Sequence, residues 1–471
     1  MIRLSGWDAS MLYSETPTVH MHTIKVAVLD LATDEEHYGI EQFRQVIARR
    51  LYKLDPFRFE LIDIPFKFHH PMWRENVEID LDYHVRAVQV ASPGGRRQVD
   101  EVVGEIASTP LDRSRPLWEL YLLEGLADNR VAVVGKIHHA LADGVAAANL
   151  LAKGMDPGLA LDDERDGYPT EPVPSRTALV VSALGDHLRQ VGRLPSAVRY
   201  TADGLRRVRA SKRRLSPELA WPFTPPPSFI NHKLDATRRF ATAALPLRDV
   251  KETASQLGVT INDLVLAISA GGLRALRQRY DGDADEPLLA SVPVSFDVSP
   301  DRLFGNRFSG MLVPLASDVD DPIKRVYAAR AAASTAKENH RLLGPELVCR
   351  WSEYLPPAPA AALFRYLARR SSRNKIFTLP ISNVMGPRER GQLNNRIVSE
   401  IYSVGPLTVG SGLNITVWSY VDQLSISVLA DGLTPGDPHE LTEAMVDDFV
   451  TIRCAAGLSS TLSAIPGVMA P

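Results

Sequence analysis

The feature that narrows the fold most is a junction at residues 131–144, Val-Ala-Val-Val-Gly-Lys-Ile-His138-His139-Ala-Leu-Ala-Asp143-Gly144. Residues 131–137 are short, apolar and valine-rich and read as a buried strand, whereas the alanine- and leucine-rich residues 145–153 read as a helix. The two histidines therefore stand where a strand ends and a helix begins. An acid follows four residues after the second histidine, with a glycine behind it.

The rest of the chain has the same rhythm. In the first half, residues 4–15 read as a capped short helix, 21–31 as a strand, 40–51 and 99–108 as helices, 80–85 as alternating strand, and 118–123 as a strand pairing with 131–137. In the second half, strands are expected at 240–245, 288–294, 311–315, 377–384, 397–402, 413–420 and 424–430. Helices are expected at 247–257, from the Thr260 cap to 279, at 321–342 and 438–457, with two more between 345 and 368. The class is α/β. A length of 471 residues exceeds what one core usually serves, so two domains are expected, at 1–160 and 240–471, joined by a connection over 161–239.

That connection opens with prolines and acids, but between residues 187 and 214 it carries nine Lys/Arg against one acid, Asp203. Leu188, Val191, Val198, Ala202, Leu205 and Val208 recur there at helical spacing, with a kink or break expected at Pro195. Such a stretch suits an anionic lipid surface, and it equally suits a linker helix with a solvated basic face packed across two domains.

A net charge of −3 gives no reason to expect nucleic acid as partner. Cys349 and Cys454 are far apart and lack partners at metal spacing, so neither a disulfide framework nor a metal site is expected. With no leader-like start and no run of 18 apolar residues, the expected location is the cytoplasm.

A neutral imidazole, with an ordinary pKa near 6.5, suits removal of a proton from an alcohol as an acyl bond forms. With an already activated acyl donor such as a thioester, one base and a stabiliser for the oxyanion suffice, and no enzyme nucleophile is needed. Chance alone supplies an adjacent histidine pair in roughly one in three chains of this composition. A second pair, His69-His70, lacks the acid and glycine and reads as structural or substrate-lining. At the first pair, His139 is the expected base and His138 the more structural member. Asp143 is the expected helix cap and positioning acid, with Arg307 as a candidate ion-pair partner, and Gly144 provides clearance.

The motif resembles the His-His-x-x-x-Asp-Gly signature of acyl-CoA-dependent acyltransferases and condensation domains. Leu4-Ser5 with Asp8, Leu81-Asp82-Tyr83-His84-Val85, Arg115-Pro116-Leu117-Trp118-Glu119, Thr260-Ile261-Asn262-Asp263, Gly305-Asn306 and Ser382-Asn383-Val384-Met385-Gly386-Pro387 accompany it. Their order and spacing are similar to those of the bacterial bifunctional wax ester synthase/acyl-CoA:diacylglycerol acyltransferases, over residues 4 to about 455. Met385 departs from the proline more often found there.

The resemblance implies two chloramphenicol-acetyltransferase-like domains with the catalytic tunnel at their interface. The catalytic set would be His139, Asp143, His138 and Gly144, and Asn262, Asp263, Ser382 and Asn383 would bind substrate from the second domain. The implied substrates are long-chain acyl-CoA and diacylglycerol or a fatty alcohol; no cofactor is implied. Contact with the inner face of the cell membrane or a lipid droplet fits such an acceptor. The competing readings are a condensation or polyketide-associated acyltransferase fed by a carrier-protein thioester, and a non-catalytic lipid-surface protein.

Overall fold

The valine-rich stretches pair into two six-stranded sheets. The computed structural model describes residues 1–31, 38–155, 172–212 and 225–469. The first sheet runs in the order Gln392–Leu393, Arg396–Val404, His22–Asp30, Arg130–His138, Trp118–Leu126, Val85–Gln89. Its central strand, Arg130–His138, is antiparallel to both neighbours, with His138 opposite His22 and Ile137 opposite Trp118. The second sheet runs Phe308–Leu315, Leu288–Ser295, Leu379–Met385, Leu413–Tyr420, Gln423–Asp431, Arg238–Pro246. Leu379–Met385 is parallel to both of its neighbours there.

Helices cover the sheets because their apolar sides match. Ile40–Arg50, Arg96–Ala107 and Gly144–Gly154 belong to the first half, and Leu247–Leu257, Ile261–Tyr280, Pro322–Leu343 and Pro438–Ala455 to the second. The halves are not independent. Strand Arg396–Val404 leaves the second half to complete the first sheet, and Trp418 and Tyr420, on a strand of the second sheet, are buried in the first core.

Two local expectations fail for identifiable reasons. Residues 81–84 form a helical turn, Leu81–His84, because the Asp80 side chain accepts the Tyr83 N–H at 3.2 Å and caps it; the strand starts only at Val85. Among its described residues the connection holds one helix, Arg176–Lys212, which runs through Pro195 unbroken. Pro195 lies on an exposed side, where water can take the carbonyl left without its helical partner. Residues 156–171 and 213–224, including Arg213 and Arg214, lie outside the described residues. Among the described residues no single helix is long and apolar enough to cross a membrane.

Candidate active site

The turn after the central strand is held from both halves of the chain. The His139 N–H donates to the Met21 carbonyl at 2.7 Å. Gly305, from the second half, donates to the Leu141 carbonyl at 2.7 Å, with a backbone bridge to Ala142 and a left-handed φ of 77° that suits glycine. The first-half turn and the second-half loop 297–307 are thereby joined.

Asp143 secures this join. It caps the helix Gly144–Gly154 by accepting the Ala146 N–H at 2.9 Å. Its two oxygens also take Arg302 at 2.9 and 3.0 Å, and one accepts the Arg307 N–H at 2.9 Å. The ion-pair partner is therefore Arg302 and not Arg307, whose backbone alone makes the contact. Arg302 turns back because its other nitrogen finds the Gly305 carbonyl at 2.8 Å. Gly144 gives clearance across the same join, since a Cβ there would stand 3.2 Å from a Val384 methyl.

The two histidines have different partners. His138 is fully buried: its Nδ1 accepts the Ala140 N–H at 3.0 Å, and its Nε2 faces Glu15 at 3.6 Å. His139 is half-buried, and its Nδ1 lies 2.9 Å from the Asn306 side-chain oxygen. The amide's orientation is set by its other end, because Asn306 Nδ2 donates to the Asp8 carboxylate and to the His139 carbonyl, both at 2.7 Å. The oxygen must then face the ring, so His139 Nδ1 carries the proton and Nε2 presents its lone pair.

Asp8 is itself fixed by the Ser5 hydroxyl at 2.6 Å and the Asn306 N–H at 2.8 Å, and its burial pushes its carboxyl up. Burial pushes the His139 pKa below its ordinary value, and the Lys25 ammonium acts in the same direction against the pull of Asp143. Lys25 is a buried cation that donates to Ser403 and lies 5.2 Å from the centre of the Trp418 ring; burial pushes it down to about 8.

Lys25 also lines an apolar cavity of about 110 Å³ between the first sheet and two helices, walled by Leu29, Phe43, Gly135, Ile137, Ala147 and Leu150.

The remaining expected site residues divide. Ser382 and Asn383 lie on Leu379–Met385, immediately before the Val384 that meets Gly144. Asp263 is spent on a capping box, accepting the Thr260 N–H at 2.9 Å while Thr260 caps Asp263 at 3.2 Å. No hydrogen bond among the described residues joins Asn262 or Asp263 to His139. Trp118 donates to the Phe57 carbonyl at 2.7 Å and stacks on His84, a packing role. His70 bonds the Tyr13 hydroxyl at 2.8 Å and is likewise held in place. The chemistry of Asn306 was marked only by the Gly305-Asn306 motif, and that of Lys25 and Arg302 by nothing in the sequence.

Residues 4–265 match the wax ester synthase/diacylglycerol acyltransferase catalytic domain, and 304–453 match the C-terminal domain of the same family. A Mycobacterium tuberculosis protein provisionally named a diacylglycerol O-acyltransferase is 61% identical over 470 residues, the whole of both chains. The O-acyltransferase WSD of Acinetobacter baylyi is 30% identical over 77% of this chain and 79% of its own. The solved wax ester synthase/diacylglycerol acyltransferase of Marinobacter aquaeolei VT8 superposes with a TM-score of 0.67 at 24% identity, covering 97% of this chain and all of that one. The condensation domain of the Monacolin K polyketide synthase shares the fold, with a TM-score of 0.58 at 13% identity over 98% of this chain and 99% of its own.

Proposed function

The chain belongs to the wax ester synthase/diacylglycerol acyltransferase family and is an acyltransferase, and from that premise we propose that it moves a long-chain acyl group from acyl-CoA to the free hydroxyl of diacylglycerol, with fatty alcohols as a second acceptor. The observation that carries the mechanism is the Asn306 clamp at 2.9 Å, which leaves His139 Nε2 as a free base. His139 takes the hydroxyl proton as the oxygen attacks the thioester carbonyl. The tetrahedral intermediate then expels the CoA sulfur, which takes that proton back from the imidazolium, leaving ester and CoA thiol. The step needs neither a covalent acyl-enzyme nor a cofactor.

Burial, with the Lys25 ammonium acting in the same direction, favours the neutral imidazole that this route needs. The acyl chain is assigned to the apolar side lined by Ile137, Ala147 and Leu150, where a long chain would need more room than the 110 Å³ present, and the acceptor to the side formed by Ser382 and Asn383. An acceptor of this kind is lipid-soluble, so the enzyme meets it at a membrane or droplet surface.

The test is one long acyl-CoA with a panel of diacylglycerol and fatty alcohols, scored for triacylglycerol, wax ester and free CoA, alongside a carrier-bound acyl donor. His139→Ala should lose on the order of 10³-fold in turnover. Asn306→Ala should lose on the order of 10²-fold in kcat with little change in KM, because the base is misplaced and substrate binding is not. Near-normal turnover in His139→Ala, or transfer only from the carrier, would overturn the reading.

A further inference from the structure

The helix Arg176–Lys212 has one side committed to the protein and one side committed to nothing among the described residues. On the inner side Leu179 and Ala183 are buried against Ile64, and Ser182 and Asp186 hold Arg3 at 3.0 and 2.9 Å. Further along, Gln190 donates to the Glu353 carbonyl, Thr201 accepts from Trp351, and Arg207 donates to the Leu342 carbonyl, at 2.9, 2.9 and 3.0 Å. The helix is thus a strap across both halves and cannot roll to hide its other face.

That other face is apolar. Val181, Leu184, Leu188, Val191, Val198 and Leu205 follow a seven-residue repeat and are each 46 to 75% exposed. An outward helix face is ordinarily polar, and an exposed stripe of this kind marks a contact surface. It continues into a cleft of about 380 Å³ walled by Phe68, Val191, Leu194, Tyr354 and Pro356, beside which Phe66 is 95% exposed on a left-handed φ of 60°. Glu353 also lines the cleft, and its carboxylate accepts the Gly6 N–H at 2.9 Å. Gly6 lies two residues from the Asp8 that anchors Asn306.

We propose that this face docks the enzyme on an anionic phospholipid bilayer, with the stripe in the headgroup–acyl boundary and the cleft opening onto it. The proposal rests on the reading that the acceptor is a lipid. Charge selects the occupant. The helix Arg176–Lys212 carries eight Lys/Arg against two acids, Asp186 and Asp203, and residues 365–375, in and after the helix Pro357–Arg370 whose start lines the cleft, carry five Lys/Arg and no acid. Cations of one sign beside an apolar stripe are what an anionic headgroup layer attracts.

A second copy would also fit the heptad-like spacing, but pairing of that kind relies on opposite charges flanking the seam. Here the flanking positions hold Arg199 and Arg206, which share the single acid Asp203 at 3.9 and 3.0 Å and so keep a net positive charge, with Pro195 inside the seam. Like charges would face each other.

The test is sedimentation of the full chain, without acyl-CoA, with vesicles of phosphatidylcholine alone and of phosphatidylcholine mixed with phosphatidylglycerol. Binding should require the anionic lipid and weaken with salt. Leu188→Ser with Val191→Ser should weaken it about tenfold or more, and Arg199→Gln and Arg206→Gln roughly fivefold each. Unchanged thermal unfolding midpoints would show that these variants still fold.

Equal binding to both vesicles, equal binding by variants and parent, or no binding overturns the proposal. So does a dimer in light scattering that Leu188→Ser with Val191→Ser dissociates while vesicle binding is absent, which would assign the stripe to a second copy. A chain that binds anionic vesicles but transfers no acyl group overturns the acyl-transfer reading and leaves the docking face standing.

Discussion

Two adjacent histidines have opposite fates because different atoms claim their nitrogens. His138 spends Nδ1 on the Ala140 N–H and has Nε2 sealed in the interior 3.6 Å from Glu15, whereas His139 spends only Nδ1, on Asn306. Burial and Lys25 both disfavour the imidazolium of His139, so the base is ready below its ordinary pKa, and kcat/KM should fall on the acid side of a midpoint under 6.5. Lys25→Met removes a positive charge, which favours the imidazolium, so that midpoint should move to higher pH. A pH profile of kcat/KM for parent and variant reads this, and a midpoint that stays or moves down would show that Lys25 is electrostatically remote from the base. The base and its acid were legible in the sequence through their fixed spacing. Arg302 was not, because it and Arg307 share one loop and only the folded backbone decides which side chain turns back to Asp143.

At the scale of elements, the start of the helix Gly144–Gly154 is shaped by a strand from the other half of the chain. An alanine at a first helical position ordinarily helps slightly, through backbone propensity. At Gly144 the added methyl would press on Val384 at 3.2 Å, and overpacking of that kind costs about 1–3 kcal/mol. Gly144→Ala should therefore destabilise the protein by about 1 kcal/mol and lower turnover, while in a Val384→Ala background the penalty should vanish. Urea unfolding of the four chains checks it; identical losses in both backgrounds would mean that the two elements do not meet. Elements themselves were readable wherever the period was strong, as at 247–257, where expectation and helix coincide. The failure at 81–84 shows the limit. An alternating pattern of five or six residues is outweighed by one capping aspartate, whose effect depends on a hydrogen bond and not on hydrophobicity.

For the whole molecule, the decisive fact is one that no local pattern carries: the first sheet is incomplete without residues 396–404. Pairing across more than 370 residues leaves no trace in periodicity, so the sequence suggested two similar halves in succession without showing that they share a sheet. The consequence is energetic. Without Arg396–Val404 the strand His22–Asp30 becomes an open edge, and its buried Ile24, Val26, Val28 and Leu29 lose their neighbour, a recipe for edge-to-edge aggregation. The buried Arg96–Glu400 pair, at 3.2 Å, would also be broken, leaving a buried arginine without its carboxylate. Residues 1–239 expressed alone should therefore be insoluble or unfolded, and coexpression with 240–471 should recover a soluble complex. The intact chain should lose fluorescence from Trp118 and Trp418 and far-ultraviolet dichroism in one coincident urea transition. A soluble, cooperatively unfolding 1–239 fragment would show that the shared strand is dispensable, and the active site would then be an assembly of two autonomous domains instead of the product of one interlocked fold.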